Sequence, residues 1–310
     1  MDRVSYVITG GNTHGSFDMD KTTGDLYVAK LLDYETTPSY TLEVKLFDYR
    51  TMTFLATTVT IQVDMIDVND ERPSFPNDPV MLTVAENSKI GVALWNFTAP
   101  DKDSGLNGIV HYHIVNRELT NDMFIINALT GTLYLQGPLD YEMAKSHMIV
   151  ICATDQSIDV NSRLNSTVTA QIIVQDENDN APVFVSASKI SVYELEPVGS
   201  VVHTLSASDL DANDNGKVFY SIAYGNEQEY FELNGESGEL GLLKPLKREQ
   251  VELITLNVTA NDHGSPPNFS SQMLRISVEA VNNSPPQVCN VLLGLYFGCM
   301  MYEHVLVVRL

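Results

Sequence analysis

The sequence predicts an all-β protein built from tandem β-sandwiches of about seven strands each. One residue pattern recurs with a period of 107 to 109 positions along the 310 residues, and such self-similarity indicates repeated structural units. The segments between the landmarks are short, rich in β-branched and aromatic residues, and bounded by turn residues. No segment shows a sustained helical period. Short strands with turn signals over about 100 residues are typical of a sandwich.

The period is carried by several independent landmarks. LDYE at 32–35 recurs at 139–142, and LKRE follows at 246–249. The landmarks DKDSGLNG (101–108) and DLDANDNG (209–216) also correspond, as do Asp48, Asp155 and Asp262, and Glu86 and Glu194. An acidic, amide-rich stretch that ends in proline appears twice, as DMIDVNDERPSF at 64–75 and as QDENDNAPVF at 175–184.

Strand-like segments recur within each unit. The second repeat carries VHYHIV (110–115), TLYL (132–135) and AQIIV (170–174), and the third repeat carries VFYSI (218–222) and LITLNV (253–258). We therefore divide the chain into repeats at 1–71, 72–180 and 181–283, followed by a hydrophobic tail at 284–310 that belongs to no repeat. The first repeat begins at the segment that matches 109–115, so we expect it to lack its first strands. A sandwich without those strands has an open sheet edge, and we interpret the chain as a fragment of something longer.

The two ends carry no recognisable targeting signal. MDRVSYVITGG lacks the basic start and apolar core of a signal peptide. The tail segment VLLGLYFGCMM (291–301) is apolar for about half of the roughly 20 residues that a membrane span needs. We interpret the tail as a non-native end, with a shortened transmembrane segment as the alternative.

The charge balance restricts the function classes. The chain has 40 acidic residues against 18 basic ones, a formal net charge of -22. This argues against nucleic acid and anionic membranes as partners and favours cation binding. Three cysteines are too few for a disulfide framework, and Cys152, in the apolar run HMIVICATD, is expected to be a buried structural thiol.

The recurring positions are almost all oxygen donors, and no histidine or cysteine keeps the period, which excludes a zinc-type site. A hard cation with six to eight oxygen ligands, namely calcium, fits this donor set. In extended chain, residues i and i+2 point the same way, so Asp209 and Asp211 converge. Asp140 with Glu142, and Asp176 with Asn178, converge in the same manner.

The donors are far apart within one unit, yet a sandwich gathers its loops at its two ends. Glu86, the pair Asp140 and Glu142, and the 176–180 stretch would lie at the bottom of one unit. Asp209, Asp211 and Asp262 would lie at the top of the next, with the acidic stretch as the linker. Clustered carboxylates repel one another without a counter-charge, so we expect a joint that calcium makes rigid. The expected affinity is on the order of 10⁻⁴–10⁻³ M.

These motifs resemble the cadherin superfamily over residues 1–283. The resemblance rests on the D-x-N-D-x-x-P linkers, the L-D-Y-E segments, the A-x-D-x-D loops and the A-T-D or A-N-D strand ends. The long DHGSPP turn (262–267) is more similar to the Fat, Dachsous and protocadherin branches than to the short adhesion cadherins. The resemblance implies Greek-key, immunoglobulin-like repeats arranged in a rod, with two to three calcium ions at each complete joint.

The resemblance also implies the ligands residue by residue. At the 72–180/181–283 joint they are Glu86, Asp140, Glu142, Asp176, Asn178, Asp179, Asp209, Asp211 and Asp262, with backbone oxygens from Glu177, Asn180 and Asn215. At the 1–71/72–180 joint they are Asp33, Glu35, Asp67, Asn69, Asp70, Asp101, Asp103 and Asp155, with carbonyls from Val68, Glu71 and Asn107. After the third repeat the pattern of ligands breaks down. Lys247, Ala280 and Asn283 stand where aspartates would be, and Ser284 stands where an asparagine would be. We therefore expect no working site there.

Two other kinds of site fail on the sequence. An EF-hand loop starting at Asp211 would need glutamate at its twelfth position, where Ile222 stands. The catalytic motifs GxSxG, HExxH, GxGxxG and the P-loop are absent, so we do not expect an enzyme. Strand-swapping adhesion cadherins need a tryptophan near the mature N-terminus, whereas Trp95 lies inside the second repeat.

The expected function is calcium-dependent cell–cell adhesion or recognition by part of a membrane-anchored, extracellular surface protein. The expected partners are other cadherin-type ectodomains, homophilic or heterophilic, with no nucleic acid and no small-molecule substrate. A passive structural spacer without its own adhesive interface is the alternative. Five N-glycosylation sequons begin at Asn96, Asn165, Asn257, Asn268 and Asn282, and Asn268 is expected to be the best exposed acceptor.

Overall fold

The computed structural model describes residues 4–120 and 122–281, and it divides into two compact units, Met1–Glu177 and Asn178–Leu310. The predicted tail 284–310, with Cys289 and Cys299, and the sequon at Asn282 lie outside the described residues. Within the described residues, helix is limited to short 3₁₀ segments at Thr13–Gly15, Arg117–Thr120 and Val160–Ser162. None of the described helices has the length and apolar character to cross a membrane. The predicted all-β class is confirmed.

The first repeat forms two small sheets in the first unit. Strands β1, β4 and β5 pair antiparallel in that order, and β2 pairs with β3. Their bounds are β1 Val4–Gly10, β2 Phe17–Met19, β3 Leu26–Val28, β4 Ser39–Asp48 and β5 Thr53–Asp64.

The second repeat has seven strands, as the sequence predicted. They form a four-stranded sheet in the order β6-β12-β11-β8 and a three-stranded sheet in the order β7-β10-β9. The bounds are β6 Val80–Ala85, β7 Ala93–Asn96, β8 Val110–Ile114, β9 Phe124–Ile126, β10 Thr132–Leu135, β11 Ser146–Asp155 and β12 Asn165–Gln175. Trp95 lies in β7 on the surface of the smaller sheet, 46% exposed.

The second unit holds the third repeat and repeats this arrangement. Its sheets run β14-β21-β20-β17 and β15-β19-β18, and β13 and β16 add a two-stranded ribbon. The bounds are β13 Val183–Phe184, β14 Lys189–Tyr193, β15 Val201–Thr204, β16 Ala207–Ser208, β17 Phe219–Tyr224, β18 Phe231–Leu233, β19 Glu239–Leu242, β20 Leu253–Asn261 and β21 Phe269–Glu279.

In both complete repeats a parallel strand pairing ends directly before a glutamate, Glu86 or Glu194, which we call the base glutamate. Strand β6 runs parallel to β12 from Val80 opposite Ala170 to Ala85 opposite Gln175, so Glu86 follows directly at the end of the pairing. Strand β14 runs parallel to β21 in the same way and ends before Glu194. Alternate residues of β6 and β12 face the core because side chains alternate along a strand.

Each complete repeat has its own hydrophobic core. The second repeat buries Phe97, Phe124 and Leu133 among aliphatic side chains of both sheets, and the third buries Phe231, Leu240 and Leu256 in equivalent surroundings. Cys152 is buried in β11, as expected for a structural thiol. The core of the first repeat is far smaller, with Phe17, Tyr40 and Leu42 as its buried members.

Strand β5 forms a sheet edge in the first repeat. No strand within the described residues pairs with its outer side, whereas the equivalent strands β12 and β21 are covered there by β6 and β14. Val59 in β5 is 55% exposed, but Val168, its equivalent in β12, is 1% exposed. The described part of the first repeat has no counterpart of β6 or of β7, so the apolar face of β5 is left incompletely covered.

Candidate metal sites

Three carboxylates of the predicted first joint, all within the first unit, lie close together. Glu35, Asp70 and Asp103 each place one oxygen within 4.8 Å of the others. Glu35 belongs to the turn between β3 and β4, Asp70 to the acidic stretch after β5, and Asp103 to the loop before β8. Three segments that are far apart in the sequence therefore contribute to one cluster, while the full ligand set of this joint stays a prediction.

The turn that carries Glu35 is fixed by Asp33. One oxygen of Asp33 accepts the backbone N–H groups of Glu35 at 3.1 Å and of Thr36 at 3.3 Å, and the other accepts the Thr36 hydroxyl at 2.6 Å. The hydrogen bond from that hydroxyl lowers the pKa of Asp33. The side chain is thus a stable carboxylate at neutral pH.

The acidic linker stretch is tied to the second repeat by two side chains. Asp67 Oδ2 accepts from Asn107 Nδ2 at 2.8 Å and from the N–H of Ser104 at 3.3 Å. Asn69 Nδ2 donates to Asp155 Oδ2 at 3.1 Å and to the carbonyl of Ser162 at 2.7 Å. These contacts leave the second oxygen of Asp67 and the side-chain oxygen of Asn69 available for another partner.

Several buried oxygens at this joint have no hydrogen-bond partner among the described residues. They are Glu35 Oε1, Asp67 Oδ1, Asn69 Oδ1, Asp101 Oδ2, Asp103 Oδ1 and Asp103 Oδ2. Buried polar atoms without partners are costly and uncommon in native proteins. All of these atoms are hard oxygen donors, the ligand type that calcium prefers. The residues present therefore fit a calcium ion.

The electrostatics of the joint point the same way. Burial, together with the charge of Asp101, raises the pKa of Asp103 to about 6. Burial also raises the pKa of Asp101, to which the charges of Asp155 and Glu71 add, and burial raises that of Glu35 beside other carboxyl groups. Burial and like charges disfavour ionisation of these carboxyl groups, so a bound cation would stabilise their charged forms.

Val68, Glu71 and Asn107 are predicted to bind a cation through their backbone carbonyls, and their side chains either contact other residues or are exposed to solvent. Glu71 Oε1 accepts a salt bridge from Lys102 Nζ at 2.8 Å, and the amide of Asn107 donates to Asp67. The Val68 side chain is 67% exposed. These contacts are compatible with the prediction that the three residues act through their carbonyl oxygens.

The predicted second joint draws on both units, and each half is described by itself. In the first unit, Glu86, Asp140 and Glu142 place oxygens within 4.8 Å of one another. Glu86 is buried, and its two oxygens accept the N–H groups of Tyr141 at 2.6 Å and Glu177 at 2.7 Å. Asp176 directly follows the end of β12.

In the second unit, the linker residues bind the loops of the third repeat. Asn178 Nδ2 donates to Asp262 Oδ1 at 3.2 Å, and the N–H of Asn180 donates to Asp211 Oδ2 at 3.2 Å. Asn180 Nδ2 bridges Asp179 Oδ1 at 2.8 Å and Asp211 Oδ1 at 2.7 Å.

The acidic loop of the third repeat belongs to the same half. The N–H of Asp211 donates to Asp209 Oδ1 at 3.0 Å, and Asn215 lies in the following turn with its N–H on Ala212. Burial raises the pKa of Asp209, and the charges of Asp211 and Asp262 add to the effect. Asp209, Asp211 and Asn215 thus correspond to Asp101, Asp103 and Asn107 of the loop in the second repeat.

The base of the third repeat differs from that of the second. Glu194 accepts the N–H groups of Arg248 at 3.3 Å and Val281 at 3.1 Å, but Lys247 replaces the aspartate of the pair. Among the described residues, no group of three metal-ligating side chains includes Glu194. Asn283 and Ser284 lie outside the described residues.

Three contacts of these sites were not predicted from the sequence. The carbonyl of Ser162 accepts from Asn69, and nothing in a sequence marks a backbone acceptor. Lys102 pairs with Glu71, and its position beside two aspartates was the available signal. The Asn268 amide binds the linker carbonyls of Asn178 and Asn180. The prediction that Asn268 is the best exposed sequon is wrong, because Asn268 is half-buried whereas Asn96 and Asn165 are exposed.

Comparison with known proteins identifies the repeats. A family model of the Cadherin domain matches residues 2–64, 81–175 and 188–279. The chain is 34% identical over 310 residues to Protein dachsous of Drosophila melanogaster and 38% identical over 285 residues to human Protocadherin-23. Each alignment covers 92% of this chain, but only 9% and 8% of those relatives.

Solved structures agree with this assignment. The crystal structure of mouse Cadherin-23 EC22-24 superposes with a TM-score of 0.76 at 29% identity, covering 90% of this chain and 87% of that one. Protocadherin Gamma B2 extracellular cadherin domains 3-6 superpose with a TM-score of 0.78 at 30% identity, covering 95% and 70% of the two chains. The predicted likeness to the Fat, Dachsous and protocadherin branches is confirmed, and the chain belongs to the cadherin family.

Proposed function

We propose that this chain is a calcium-binding segment of an extracellular cadherin ectodomain that serves cell–cell adhesion or recognition. Calcium would bind at the linkers between repeats, with two to three ions at a complete joint. The whole protein would be anchored in the plasma membrane, with other cadherin-type ectodomains as its partners. The likeness to extracellular cadherin domains supports this role.

One observation carries the calcium proposal, namely the set of buried and unpartnered oxygens at the first joint. The side chains that would hold calcium there are Asp33, Glu35, Asp67, Asn69, Asp70, Asp101, Asp103 and Asp155, with carbonyls of Val68, Glu71 and Asn107. A bound cation supplies the positive charge that these carboxylates lack. Asp33 and Asn107 orient the neighbouring ligands through the hydrogen bonds described above.

A second site is proposed from the period of the sequence. It comprises Glu86, Asp140, Glu142, Asp176, Asn178, Asp179, Asp209, Asp211 and Asp262, with backbone oxygens of Glu177, Asn180 and Asn215. The pattern of donor types is the same as at the first joint, and the base glutamate is present as well. We propose no calcium site after the third repeat, because Lys247 would bring a positive charge to the position of Asp140.

We propose no catalytic activity. The acidic residues that cluster are those expected of cation ligands in cadherin repeats, and their partners are backbone N–H groups and amides rather than an activated nucleophile or a general base poised over a cleft.

Calcium binding is tested by thermal melts of the whole chain in 10 mM calcium and in chelator. Trp95, the single tryptophan, lies in β7, so its fluorescence follows the second repeat. Binding to the folded state alone raises stability by about 2.7 kcal/mol for each site at a ligand concentration of 100 Kd. The Asp70→Ala variant should lose much of this shift, whereas Glu118→Gln, an exposed acid of the same repeat, should keep it. No shift in the parent chain at millimolar calcium would refute the proposal.

Adhesion and passive spacing are separated by a second experiment. Beads coated with the chain should aggregate in calcium and disperse in chelator if the segment carries an adhesive surface. The spacer alternative predicts the same calcium-dependent melting but no aggregation in either buffer. Beads coated with Asp70→Ala serve as the matched control, because their loss of aggregation would tie adhesion to the calcium joint.

A further inference from the structure

The side chain of Asn268 is bound to the linker before the third repeat. Its Nδ2 donates to the carbonyl oxygens of Asn178 at 2.9 Å and of Asn180 at 3.1 Å. A carboxamide has two N–H bonds, so these two acceptors use both of them. The donor and both acceptors belong to the second unit.

Asn268 is itself held in place by Asp262. The backbone N–H of Asn268 donates to both oxygens of Asp262, at 3.0 and 2.9 Å. Asn178 Nδ2 donates to the same carboxylate at 3.2 Å and to the carbonyl of Pro266 at 2.7 Å. The loop 262–268 and the linker therefore hold each other through hydrogen bonds that run in both directions.

The second repeat lacks this feature at the equivalent position. There the residue is Leu164, whose N–H donates to Asp155 Oδ2 as that of Asn268 donates to Asp262. A leucine side chain has no donor, so the linker at 67–71 relies on Asn69 for its contact with that loop. The extra amide is specific to the third repeat, and it is not explained by the general pattern of the repeats.

Asn268 also begins the sequon Asn-Phe-Ser, with Ser270 as its third residue. An N-linked sugar replaces one of the two amide hydrogens of the asparagine and adds bulk at the nitrogen. A glycosylated Asn268 could therefore not donate to both linker carbonyls. The clamp and the sugar compete for the same nitrogen.

We propose that Asn268 clamps the linker at 178–180 and that N-glycosylation of the same side chain releases the clamp. The clamp fixes the Asn180 carbonyl before any ion arrives. Its effect on calcium affinity rests on the function proposed above, because Asn180 is one of the proposed backbone ligands. The clamp itself does not depend on calcium.

The clamp is tested by hydrogen exchange of the whole unglycosylated chain in chelator. The reporter is the N–H of Asn180, which donates to Asp211 Oδ2. The variant Asn268→Leu copies the residue of the second repeat and should speed this exchange roughly tenfold, since two hydrogen bonds are lost. Ser270→Ala removes the sequon but keeps the amide, and it should exchange like the parent chain.

Amides of β20 show whether the fold is intact. Leu256 is fully buried there and should exchange equally slowly in all three proteins. Equal linker exchange in Asn268→Leu and the parent would overturn the clamp, and so would faster exchange of β20 together with the linker. Because the comparison is made in chelator, a failure of the calcium proposal would leave its result unaffected.

The modification is tested on the chain secreted from mammalian cells behind an added, cleavable signal peptide. Mass spectrometry should find sugar on Asn268, and the molecules that carry it should exchange at the linker as fast as Asn268→Leu. Secreted Ser270→Ala should carry no sugar there and should exchange slowly. Absence of sugar on Asn268, or slow linker exchange in molecules that carry it, would overturn the release by glycosylation.

Discussion

The substitution Asp103→Asn should change the stability of the second repeat in opposite directions with and without calcium. Asp103 is 7% exposed, and both of its oxygens are buried without hydrogen-bond partners. Asparagine has nearly the same shape but no charge. In chelator the variant avoids the cost of burying a charge and the repulsion from Asp101, and in calcium it loses a ligand.

The magnitude follows from the raised pKa of Asp103, about 6 in the folded chain against 3.8 for an unperturbed aspartate. One unit corresponds to about 1.4 kcal/mol, which sets an upper bound of about 3 kcal/mol. Water and salt at a loop reduce it, so we expect about 1 to 2 kcal/mol. For a domain of about 100 residues, this raises the midpoint in chelator by roughly 4 to 10 °C.

The sign of the pH dependence is fixed by the same shift. A carboxyl whose folded pKa is raised destabilises the fold whenever it is ionised, so the penalty is complete above about pH 6. It declines as the pH falls towards 3.8 and is absent below that value. The advantage of Asp103→Asn in chelator should therefore be present at pH 7.5 and much smaller at pH 4.5.

The assay is the Trp95 fluorescence melt of the whole chain at both pH values, in chelator and in 10 mM calcium. Glu118→Gln removes an exposed charge of the same repeat and should shift neither midpoint by more than about 1 °C. The reasoning is refuted if Asp103→Asn melts below the parent chain in chelator at pH 7.5. It is also refuted if the variant keeps the full calcium shift.

Three further predictions concern the neighbouring groups. Lys102→Ala removes an exposed salt bridge with Glu71, so it should change stability by less than about 1 kcal/mol. Because it also removes a positive charge beside the proposed site, it should tighten calcium binding in titration calorimetry. Lys244→Ala in the third repeat should leave the affinity unchanged. Amides on the outer side of β5 should exchange much faster than those of β12 in hydrogen-exchange mass spectrometry, because no described strand covers them; equal protection would contradict the open edge. Glu86→Gln and Glu194→Gln should each cost about 1 to 3 kcal/mol in chelator by chemical denaturation, because glutamine has one acceptor oxygen for two N–H groups. In calcium only Glu86→Gln should lose additional stabilisation, and an equal loss in both variants would contradict a site limited to the first two joints.

Much of the fold could be predicted because its signals are local and repeated. The segments 110–115, 132–135 and 170–174 appear as β8, β10 and part of β12. Glu35, Asp70 and Asp103 are separated along the chain and lie in one cluster, while the full ligand set that the period predicts stays a prediction. Repetition supplies the long-range information that a single strand pattern lacks, since equivalent residues must meet equivalent neighbours. The boundaries of the repeats remain predictions.

The contacts that escaped prediction depend on which atom of a side chain faces which neighbour. The proline-rich turn around Asn268 predicts an exposed acceptor of N-linked sugar. In the structure its amide donates to the carbonyl oxygens of Asn178 and Asn180. Glu71 was expected to act through its carbonyl, but its pairing with Lys102 depends on a loop contact 31 positions away. Such polar contacts depend on loop geometry, for which the sequence carries no periodic signal.

The two base glutamates, Glu86 and Glu194, separate the structural role of this position from the metal-binding role proposed for Glu86. Glu86 accepts the N–H groups of Tyr141 and Glu177, and Glu194 accepts those of the equivalent Arg248 and Val281. The second set persists although Lys247 replaces the neighbouring aspartate. A backbone N–H shielded from water is costly without an acceptor, so the carboxylate stabilises the junction of the linker with the sheet in both repeats. The calcium site proposed at Glu86 would then differ from the base of the third repeat by the acids around a glutamate that the fold holds in place in both repeats.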